Sequence, residues 1–396
     1  MARRYISVLL TVLLFCGCNR AEPPVDIGEK ETVVLDIWCE REDWDIVTEL
    51  CGDFAEEHRE KNYAFSLDVP PEDISAALSG NEEVDVLCFS SDITEQLVLE
   101  GLLLPVEDKS QRVDMSVSAA SCNGTQYGFP YAADTCVLYY DRSKFTEHEV
   151  SDMNRMMSKR LEDTKYSLAM PLYDGIYQCA FFLAAGCDIP EECCSEQGVL
   201  AGEYMAALTD SGRFAAELSS GDIKAGFVDG SVAAAISDIQ NGEAIKSTLG
   251  SYCGIAKLPQ ITLSDGRSVQ LGSFAVYSLT GVSSRTDNAA DALLLAEWLA
   301  GAEAQRMRLT ELNIAPVLTE LCNDNSLLKD YPDVMVLLEQ LEYSAPLLPY
   351  DQMEMLDEAA EELCDELIEG IDTRAELMDA LVEFHDTCTV ADNVLQ

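Results

Sequence analysis

The stretch Tyr127–Phe145, which reads YGFPYAADTCVLYYDRSKF, decides how the rest of the chain is organised. The turn signal Asn123-Gly124 comes just before it, and the apolar run Thr135–Tyr140 is long enough only for a strand. Pro130 cannot donate a ladder hydrogen bond, so it takes an edge or entry position. We expect a short buried strand that crosses between two lobes, with Asp134 facing the cleft between them.

Length, composition and charge bound the fold and the partners. A chain of 396 residues is too long for one ordinary core, so two domains are expected. The hydrophobic fraction of 48% excludes a disordered chain. The formal charge is −47, from 72 acidic and 25 basic residues, and such a surface repels nucleic acid and anionic headgroups. We expect no nucleic-acid partner and a neutral or cationic ligand, although solubility alone would also explain the acidity.

The first residues indicate export and lie outside the fold. Two arginines precede the apolar run Ile6–Cys16, whose 11 residues are too few to span a bilayer but are typical of a secretion signal. Gly17 directly before Cys18 resembles the cleavage site of a bacterial lipoprotein; an ordinary signal peptide without lipid is the alternative. We expect a signal peptide at 1–17, lipid on Cys18, a tether at 18–31, and anchoring to the outer face of the cell membrane.

The cysteines show neither a metal pattern nor a disulfide framework. The chain has 15 Cys and three His without paired C-x-x-C spacing, so no zinc site and no cofactor are expected. Cys193-Cys194 is the only adjacent pair. Cys88, Cys179 and Cys253 lie in apolar patterns and are typical of small core residues. Without the signal-peptide and lipidated cysteines an odd number, 13, remains. An odd number fits disulfide pairing poorly, although exported chains usually form disulfides.

Strands and helices alternate along the first part of the chain. Thr32–Trp38, Ala64–Val69 and Val84–Phe89 are predicted strands, each followed by a helical pattern. Such alternation builds a parallel sheet, and ligands bind at the carboxyl ends of its strands. We therefore expect an α/β fold with Glu40 and Asp92 on one side of a cleft.

The opening stretch resembles the first interdomain crossing of the maltose-binding type of bacterial solute-binding proteins, where Tyr-Gly, a hydrophobic residue and Pro precede small residues, an acid and a strand. Gly230–Gln240, Tyr252–Pro259 and Gly272–Tyr277 resemble later elements of that family, in the same order. The resemblance covers about Val33–Phe384. It implies a periplasmic-binding-protein type II fold, with two discontinuous α/β lobes joined by a hinge. The implied parts are lobe 1 at 32–133 and 276–322, lobe 2 at 138–271 and 323–388, and hinge crossings at 134–137 and 272–275.

The same resemblance implies a function. Proteins of this type are extracellular receptors of ABC importers, which close around a small solute and deliver it to membrane permease subunits. We expect a receptor of this kind, not an enzyme, that acts as a monomer on a small solute, most often a carbohydrate.

The expected site follows from matched positions. Asp134 and Asp92 match sugar-contacting acids, although each could instead cap nearby backbone. Two aromatic platforms of sugar binders are absent, because Gln240 and Asp357 stand at their positions. The aromatic members of the site could equally be core residues. The predicted ligand-binding residues are Trp38, Glu40, Asp92, Asp134, Asp174, Tyr177, Asp238 and Gln240.

A second resemblance leaves an alternative function open. Val84–Val106 and 127–140 also resemble thiamine-degrading transferases of the thiaminase I type, which share this fold. These enzymes use a Cys nucleophile just after the crossing Pro and a Glu base in the second lobe. This chain has Asp134 at the nucleophile position, Cys136 two residues later on the same strand face, and Asp238 in place of Glu. The alternative function is a thiaminase-like transferase or a thiamine- or cation-binding relative. The alternative role of Cys136 is that of a buried strand residue.

Overall fold

The structure is a computed structural model that describes residues 30–80 and 82–389, apart from the side chains of Ile239 and Gln240. The predicted signal peptide, Cys18 and all but the last two residues of the predicted tether lie outside the described residues. Within the described part, none of the helices has the length and apolar composition that a membrane span requires.

Fifteen strands form within the described residues. They are β1 (Thr32–Trp38), β2 (Asn62–Asp68), β3 (Val86–Ser90), β4 (Ser121–Cys122), β5 (Thr125–Gln126), β6 (Gly128–Thr135), β7 (Val137–Asp141), β8 (Leu168–Ala169), β9 (Phe214–Ala215), β10 (Ala234–Ser237), β11 (Cys253–Ala256), β12 (Gln260–Thr262), β13 (Ser268–Gln270), β14 (Ser273–Val282) and β15 (Ser344–Pro346).

Seventeen α-helices connect and cover these strands in the same part of the chain. They are α1 (Trp44–Glu57), α2 (Ile74–Ser79), α3 (Thr94–Leu99), α4 (Asp114–Ala119), α5 (Glu147–Val150), α6 (Met153–Ser158), α7 (Gly175–Ala185), α8 (Glu196–Asp210), α9 (Ser220–Asp229), α10 (Ile239–Leu249), α11 (Ala289–Leu299), α12 (Ala302–Leu312), α13 (Thr319–Cys322), α14 (Asn325–Leu328), α15 (Pro332–Leu341), α16 (Tyr350–Glu369) and α17 (Arg374–Thr389). Short 3₁₀ helices lie at Arg41–Asp43, Ser91–Ile93 and Gly250–Tyr252.

Two mixed sheets organise these elements. The first has the order β15-β14-β3-β1-β2, with β6 also paired to β14. Its β1 is parallel to β2 and β3, as the strand–helix alternation predicts, whereas β14 runs antiparallel to β3 and β6. The second sheet has the order β11-β7-β10-β8-β9, in which β7 is antiparallel to both of its neighbours. Neither of these two sheets is therefore purely parallel.

The opening stretch passes from one sheet to the other. Its first half forms β6 of the first sheet and its second half forms β7 of the second, so that Cys136 alone separates them. Pro130 lies on β6 opposite Leu279, beside an irregularity in the pairing at Ser278 and Leu279. Proline is tolerated on such a strand, because β6 pairs with β14 and, among the described residues, its other side makes the single bridge between Ala133 and Ala315.

The last strand departs from the expected division of the chain. Ser344–Pro346 pairs with Ser273–Ala275 of β14, so this segment joins the first sheet. The family resemblance implies instead that all of 323–388 belongs to lobe 2 and that 272–275 is a crossing between lobes. A strand of three residues is too short to show a periodic pattern of apolar residues, so its pairing could not be predicted from the sequence.

Three buried clusters form the core. One packs the second sheet against α7, α8, α16 and α17, and another packs β1 to β3 against α1 and α11. The remaining cluster contains side chains from both sheets, among them Trp38, Tyr139, Ala235 and Tyr277. The two sheets are therefore joined by apolar contact near the crossing, as well as by the chain itself.

The substitution Gly254→Ala tests how tightly β11 and β7 pack. Gly254 lies opposite Tyr140, and a Cβ at this position would lie 2.2 to 2.5 Å from three carbons of the tyrosine ring. Tyr140 is buried and cannot swing away, so we expect a loss of about 1–3 kcal/mol in the free energy of unfolding. Gly52→Ala in α1, which meets no atom within 4 Å, is the control and should stabilise by up to about 1 kcal/mol. Thermal unfolding of the two variants measures the difference; equal melting temperatures would contradict this packing.

Candidate functional site

Asp134 lies at the end of β6, where the chain leaves the first sheet. Its Oδ1 accepts a hydrogen bond of 2.8 Å from the backbone N–H of Thr135, and the side chain is half-buried. Burial raises the pKa of Asp134 to about 7; the Thr135 N–H opposes this rise and the nearby Asp238 adds to it. The carboxyl therefore changes charge near neutral pH, which is unusual for an aspartate.

Asp174 caps the N-terminus of α7 just beyond β8. Its Oδ1 accepts from the N–H of Ile176 at 2.9 Å, and Oδ1 of Asp357 accepts from the N–H of Gly175 at 2.8 Å. Burial raises the pKa of Asp174 to about 6; Asp357 and Asp238 also raise it, while the Ile176 N–H lowers it. Two carboxyl groups thus share one helix N-terminus, where the helix dipole favours negative charge.

Asp238 follows β10 directly and caps α10. Its two oxygens accept from the backbone N–H and the side-chain amide of Asn241, each at 2.7 Å. Asp238 is an electrostatic neighbour of both Asp134 and Asp174. The structure thus brings together three of the predicted site acids, from β6 and from the loops after β8 and β10. No lysine or arginine is among the groups that shift the pKa of Asp134 or Asp174.

Cys136 and Tyr177 lie buried beside these acids. Cys136 is 6% exposed, and burial, together with Asp134, Asp238 and Asp174, raises the pKa of its thiol well above the ordinary value. A thiol in such surroundings stays protonated and is a poor nucleophile. Tyr177 is 8% exposed, and its own pKa is raised by burial and by Cys136. Tyr177 is therefore a buried packing residue near the acids, and its ring face is not accessible to a ligand.

Trp38, Glu40 and Asp92 are not among the groups that shift the pKa of Asp134 or Asp174. Trp38 is buried in the cluster that joins the two sheets, while Glu40 is exposed just before the 3₁₀ helix at 41–43. Asp92 makes no helix-capping hydrogen bond; its Oδ1 is buried without a partner and borders a separate cavity of about 130 Å³ together with Thr94. The side chain of Gln240 lies outside the described residues.

Tyr173 is a candidate that the sequence analysis passed over. It is 38% exposed in the loop after β8, and its hydroxyl has Asp174 and Asp222 as electrostatic neighbours. An exposed aromatic ring next to carboxylates suits a ligand with both an apolar face and polar groups. Its position at the carboxyl end of a strand was the available signal. Asp357 stands where sugar-binding relatives have a stacking aromatic residue. It belongs to the acidic group, because it accepts a hydrogen bond from the N–H of Gly175 and raises the pKa of Asp174.

Comparison with known proteins shows which family and which solved structures this chain resembles. The family described as bacterial extracellular solute-binding protein matches residues 70–336. A galactooligosaccharide-binding protein from Bacillus subtilis is 25% identical over 366 residues, which are 84% of this chain and 84% of that protein. A maltodextrin-binding protein from L. casei, solved without ligand, has a TM-score of 0.80 at 18% identity, covering 90% of this chain and 99% of its own. A maltose-binding protein from Listeria monocytogenes, solved with maltose, has a TM-score of 0.74 at 18% identity, covering 93% and 99%.

These likenesses confirm the expected fold, the periplasmic-binding-protein type II architecture. All three relatives are named as binding proteins and none as an enzyme, so the thiaminase-like alternative receives no support from them. The family match spans well over half of the chain. The chain belongs to the bacterial extracellular solute-binding proteins.

Proposed function

We propose that this protein is the receptor of an ABC importer and captures an oligosaccharide in a cleft at the crossing between its two sheets. The observation that carries the proposal is the convergence of Asp134, Asp174 and Asp238 where β6 passes into β7. Carboxylates that face solvent or a cleft accept hydrogen bonds from sugar hydroxyls. The named relatives bind galactooligosaccharide, maltodextrin and maltose.

The ligand would be held from both halves of the molecule. Asp134 belongs to the first sheet, whereas Asp174 and Asp238 follow strands of the second. Rotation about the crossing at Cys136 would bring the two halves, the proposed lobes, together over the solute. Tyr173 would supply an aromatic ring face in place of the two family aromatics that are absent from this chain. The closed monomer would then dock on the permease subunits.

The proposal includes the cell-surface location. Membership in an extracellular family means that the protein is exported. Lipid on Cys18 would hold it at the outer face of the membrane, with the residues up to 31 as the tether. No catalytic step is proposed, because Cys136, the thiol beside Asp134, is buried and its raised pKa keeps it protonated.

The proposal predicts binding without turnover. Thermal unfolding in the presence of galactooligosaccharides, maltodextrins, polyamines and thiamine should show a rise in melting temperature with an oligosaccharide, because a ligand that binds only the folded state stabilises it. The variant Asp174→Asn should lose most of that rise. Asp229→Asn, an exposed acid at the far end of α9 from Asp222, is the matched control and should keep it.

Two outcomes would overturn the proposal. One is stabilisation by thiamine or a polyamine but by no oligosaccharide. The other is release of free thiazole from thiamine, lost in Cys136→Ser, which would establish the transferase instead.

A further inference from the structure

A buried polar network lies where the chain passes between the two sheets. Thr135 ends β6, just before β7 of the second sheet, and Ser273 begins β14, just after the β12–β13 hairpin. Ser344 begins β15, which leads into α16 of the second core. The oxygen of Ser273 lies 2.7 Å from Thr135 Oγ1 and 2.7 Å from Ser344 Oγ. Three hydroxyl groups therefore connect the three segments through which the chain passes from one half to the other.

The direction of these hydrogen bonds follows from counting protons, since each hydroxyl group has one. Thr135 donates to the carbonyl of Phe274 at 2.7 Å, so Ser273 donates to Thr135. Ser344, which also lies 3.1 Å from the carbonyl oxygen of Gln340, donates to Ser273. Thr135 is 4% exposed and Ser273 is 1% exposed, so these bonds are shielded from competing water.

Gln340, in the last turn of α15, joins this hydroxyl chain to the second core. Its Nε2 donates to Ser273 Oγ and to the carbonyl of Leu271, each at 3.2 Å, and its Oε1 accepts from the N–H of Leu258 at 2.9 Å. Leu258 and Leu271 belong to the core cluster of the second sheet, whereas Ser273 starts a strand of the first. Turning the amide over would set its NH₂ against the N–H of Leu258 and its oxygen against the carbonyl of Leu271, so its orientation is fixed.

Two other buried glutamines show what is particular to Gln340. Gln178, which is 0% exposed like Gln340, donates to the carbonyls of Leu172 and Ala360, both in the second core. Gln305, which is 1% exposed, donates to carbonyls next to α11 and on β6, in the half that contains the first sheet. Each of these two amides thus stabilises one half, whereas the amide of Gln340 bonds to both halves.

We propose that Gln340 and the hydroxyl chain form the pivot of the hinge, the part about which the two halves rotate. This inference rests on the closure described in the proposed function. The network holds the three passing segments in a fixed arrangement, so that the halves move as two bodies about one axis. Thr135 directly follows Asp134 and donates its N–H to that carboxyl, so the network also orients one acid of the site. Gln340 is therefore a positioning residue.

Hydrogen exchange of the ligand-free, full-length protein tests this role, and the result does not depend on which solute binds. The variant Gln340→Met keeps the length of the side chain and removes its amide. Exchange should accelerate about fivefold or more in peptides that cover 133–138, 271–276 and 342–347, because segments that share a lost buried hydrogen bond open more often. The peptide 133–138 is decisive, because Gln340 is linked to Thr135 through Ser273. The radius of gyration from X-ray scattering should also rise, as the halves take a wider range of orientations.

Gln178→Met is the matched control, because it removes an equally buried amide that bonds within one half. It should lower the melting temperature but leave both the exchange in 133–138 and the radius of gyration unchanged. Ser273→Ala provides a second, smaller change, since it removes the central hydroxyl and keeps the bonds of Gln340 to Leu258 and Leu271. It should accelerate exchange in 133–138 and 342–347.

Two results would overturn the pivot. One is faster exchange in Gln340→Met that is confined to the backbone that Gln340 contacts, near 258 and 271, or that Gln178→Met reproduces in 133–138. The other, which applies even where Gln340→Met does not fold, is unchanged exchange in 133–138 in Ser273→Ala. Either result would make the amide of Gln340 a local packing contact.

Discussion

Arg308→Ala is expected to lower the free energy of unfolding by about 3–5 kcal/mol, because it leaves the carboxylate of Asp43 buried without its partner. Arg308 is 1% exposed and Asp43 is 7% exposed. The guanidinium donates to both carboxylate oxygens at 2.7 to 3.1 Å, donates to the carbonyl of Leu299 at 2.7 Å, and lies 4.1 Å from the ring centre of Tyr131. Burial alone would lower the pKa of Arg308, yet the pairing with Asp43 leaves it raised.

The loss should extend to the loop after β1. Asp43 ends the 3₁₀ helix that follows Glu40, so the ion pair holds the loop after β1 against α12. A chain without this pair should show a lower melting temperature and faster proteolysis in the loop 39–43.

Two variants separate the buried pair from a general effect of removing an arginine. Arg374→Ala removes a half-exposed guanidinium that pairs with Glu196 and Glu203, and such surface pairs contribute about 0–1 kcal/mol. The double variant Asp43→Asn with Arg308→Met should lose less than Arg308→Ala alone, since no charge is then left unpaired. If Arg308→Ala were no more harmful than Arg374→Ala, the buried ion pair would not be a main stabilising contact.

Asp134→Asn is expected to stabilise the ligand-free protein in alkaline solution and to weaken ligand binding. The folded-state pKa of about 7 lies above the ordinary value of 3.8, so the folded protein holds its proton more tightly than the unfolded chain does. The cost of the buried charge is therefore absent below about pH 4, grows as the pH rises, and is complete above about pH 7. Asparagine carries no charge at any pH, so the variant avoids this cost.

The size of this effect follows from the pKa. One pKa unit corresponds to about 1.4 kcal/mol, and relaxation and water entry offset part of the shift, so we expect a gain of about 1–2 kcal/mol at alkaline pH. Chemical unfolding of wild type and variant across the pH range measures it. A difference between the two proteins that does not change with pH would contradict the assigned pKa.

Binding supplies the second measurement on the same variant. In the proposed complex the carboxylate of Asp134 would accept hydrogen bonds from two hydroxyl groups of the sugar, and an amide oxygen would do so more weakly. Calorimetric titration with the oligosaccharide identified by thermal unfolding should therefore give a weaker affinity for Asp134→Asn, by about tenfold or more, since a hydrogen bond to a charged group contributes about 1.5–3 kcal/mol. Asp229→Asn again serves as the control. An unchanged affinity would remove Asp134 from the site while leaving its effect on stability intact.

The acids of the site were predictable to different degrees. Asp134, Asp174 and Asp238 each follow or end a short strand, and strand ends are where ligands gather in α/β folds. Asp92 follows a strand in the same way, yet its side chain turns toward a separate cavity with Thr94. Position along the chain indicates the edge of the sheet but not the direction of the side chain.

Aromatic residues were harder to assign than acids. Tyr173 and Tyr177 are four residues apart around the start of α7. Their exposure distinguishes them: the buried Tyr177 packs in the core, whereas the more exposed Tyr173 can contact a ligand. Trp38 ends a strand, as a ligand-stacking residue would, but it contributes to the cluster between the two sheets. An aromatic side chain is favoured both in a core and against a ligand, so sequence does not separate the two roles.

Local patterns in the sequence predicted the α/β class, the crossing within Tyr127–Phe145 and the position of acids at strand ends, because strand periodicity and turn residues are local properties of the chain. The pairing of β15 with the first sheet and the ion pair of Arg308 with Asp43 depend on the tertiary structure alone. Each of these contacts joins residues more than seventy positions apart, and no local pattern records which distant segment will supply the partner. The pKa of Asp134 belongs to the same class, since it depends on burial and on Asp238, which the fold alone brings near.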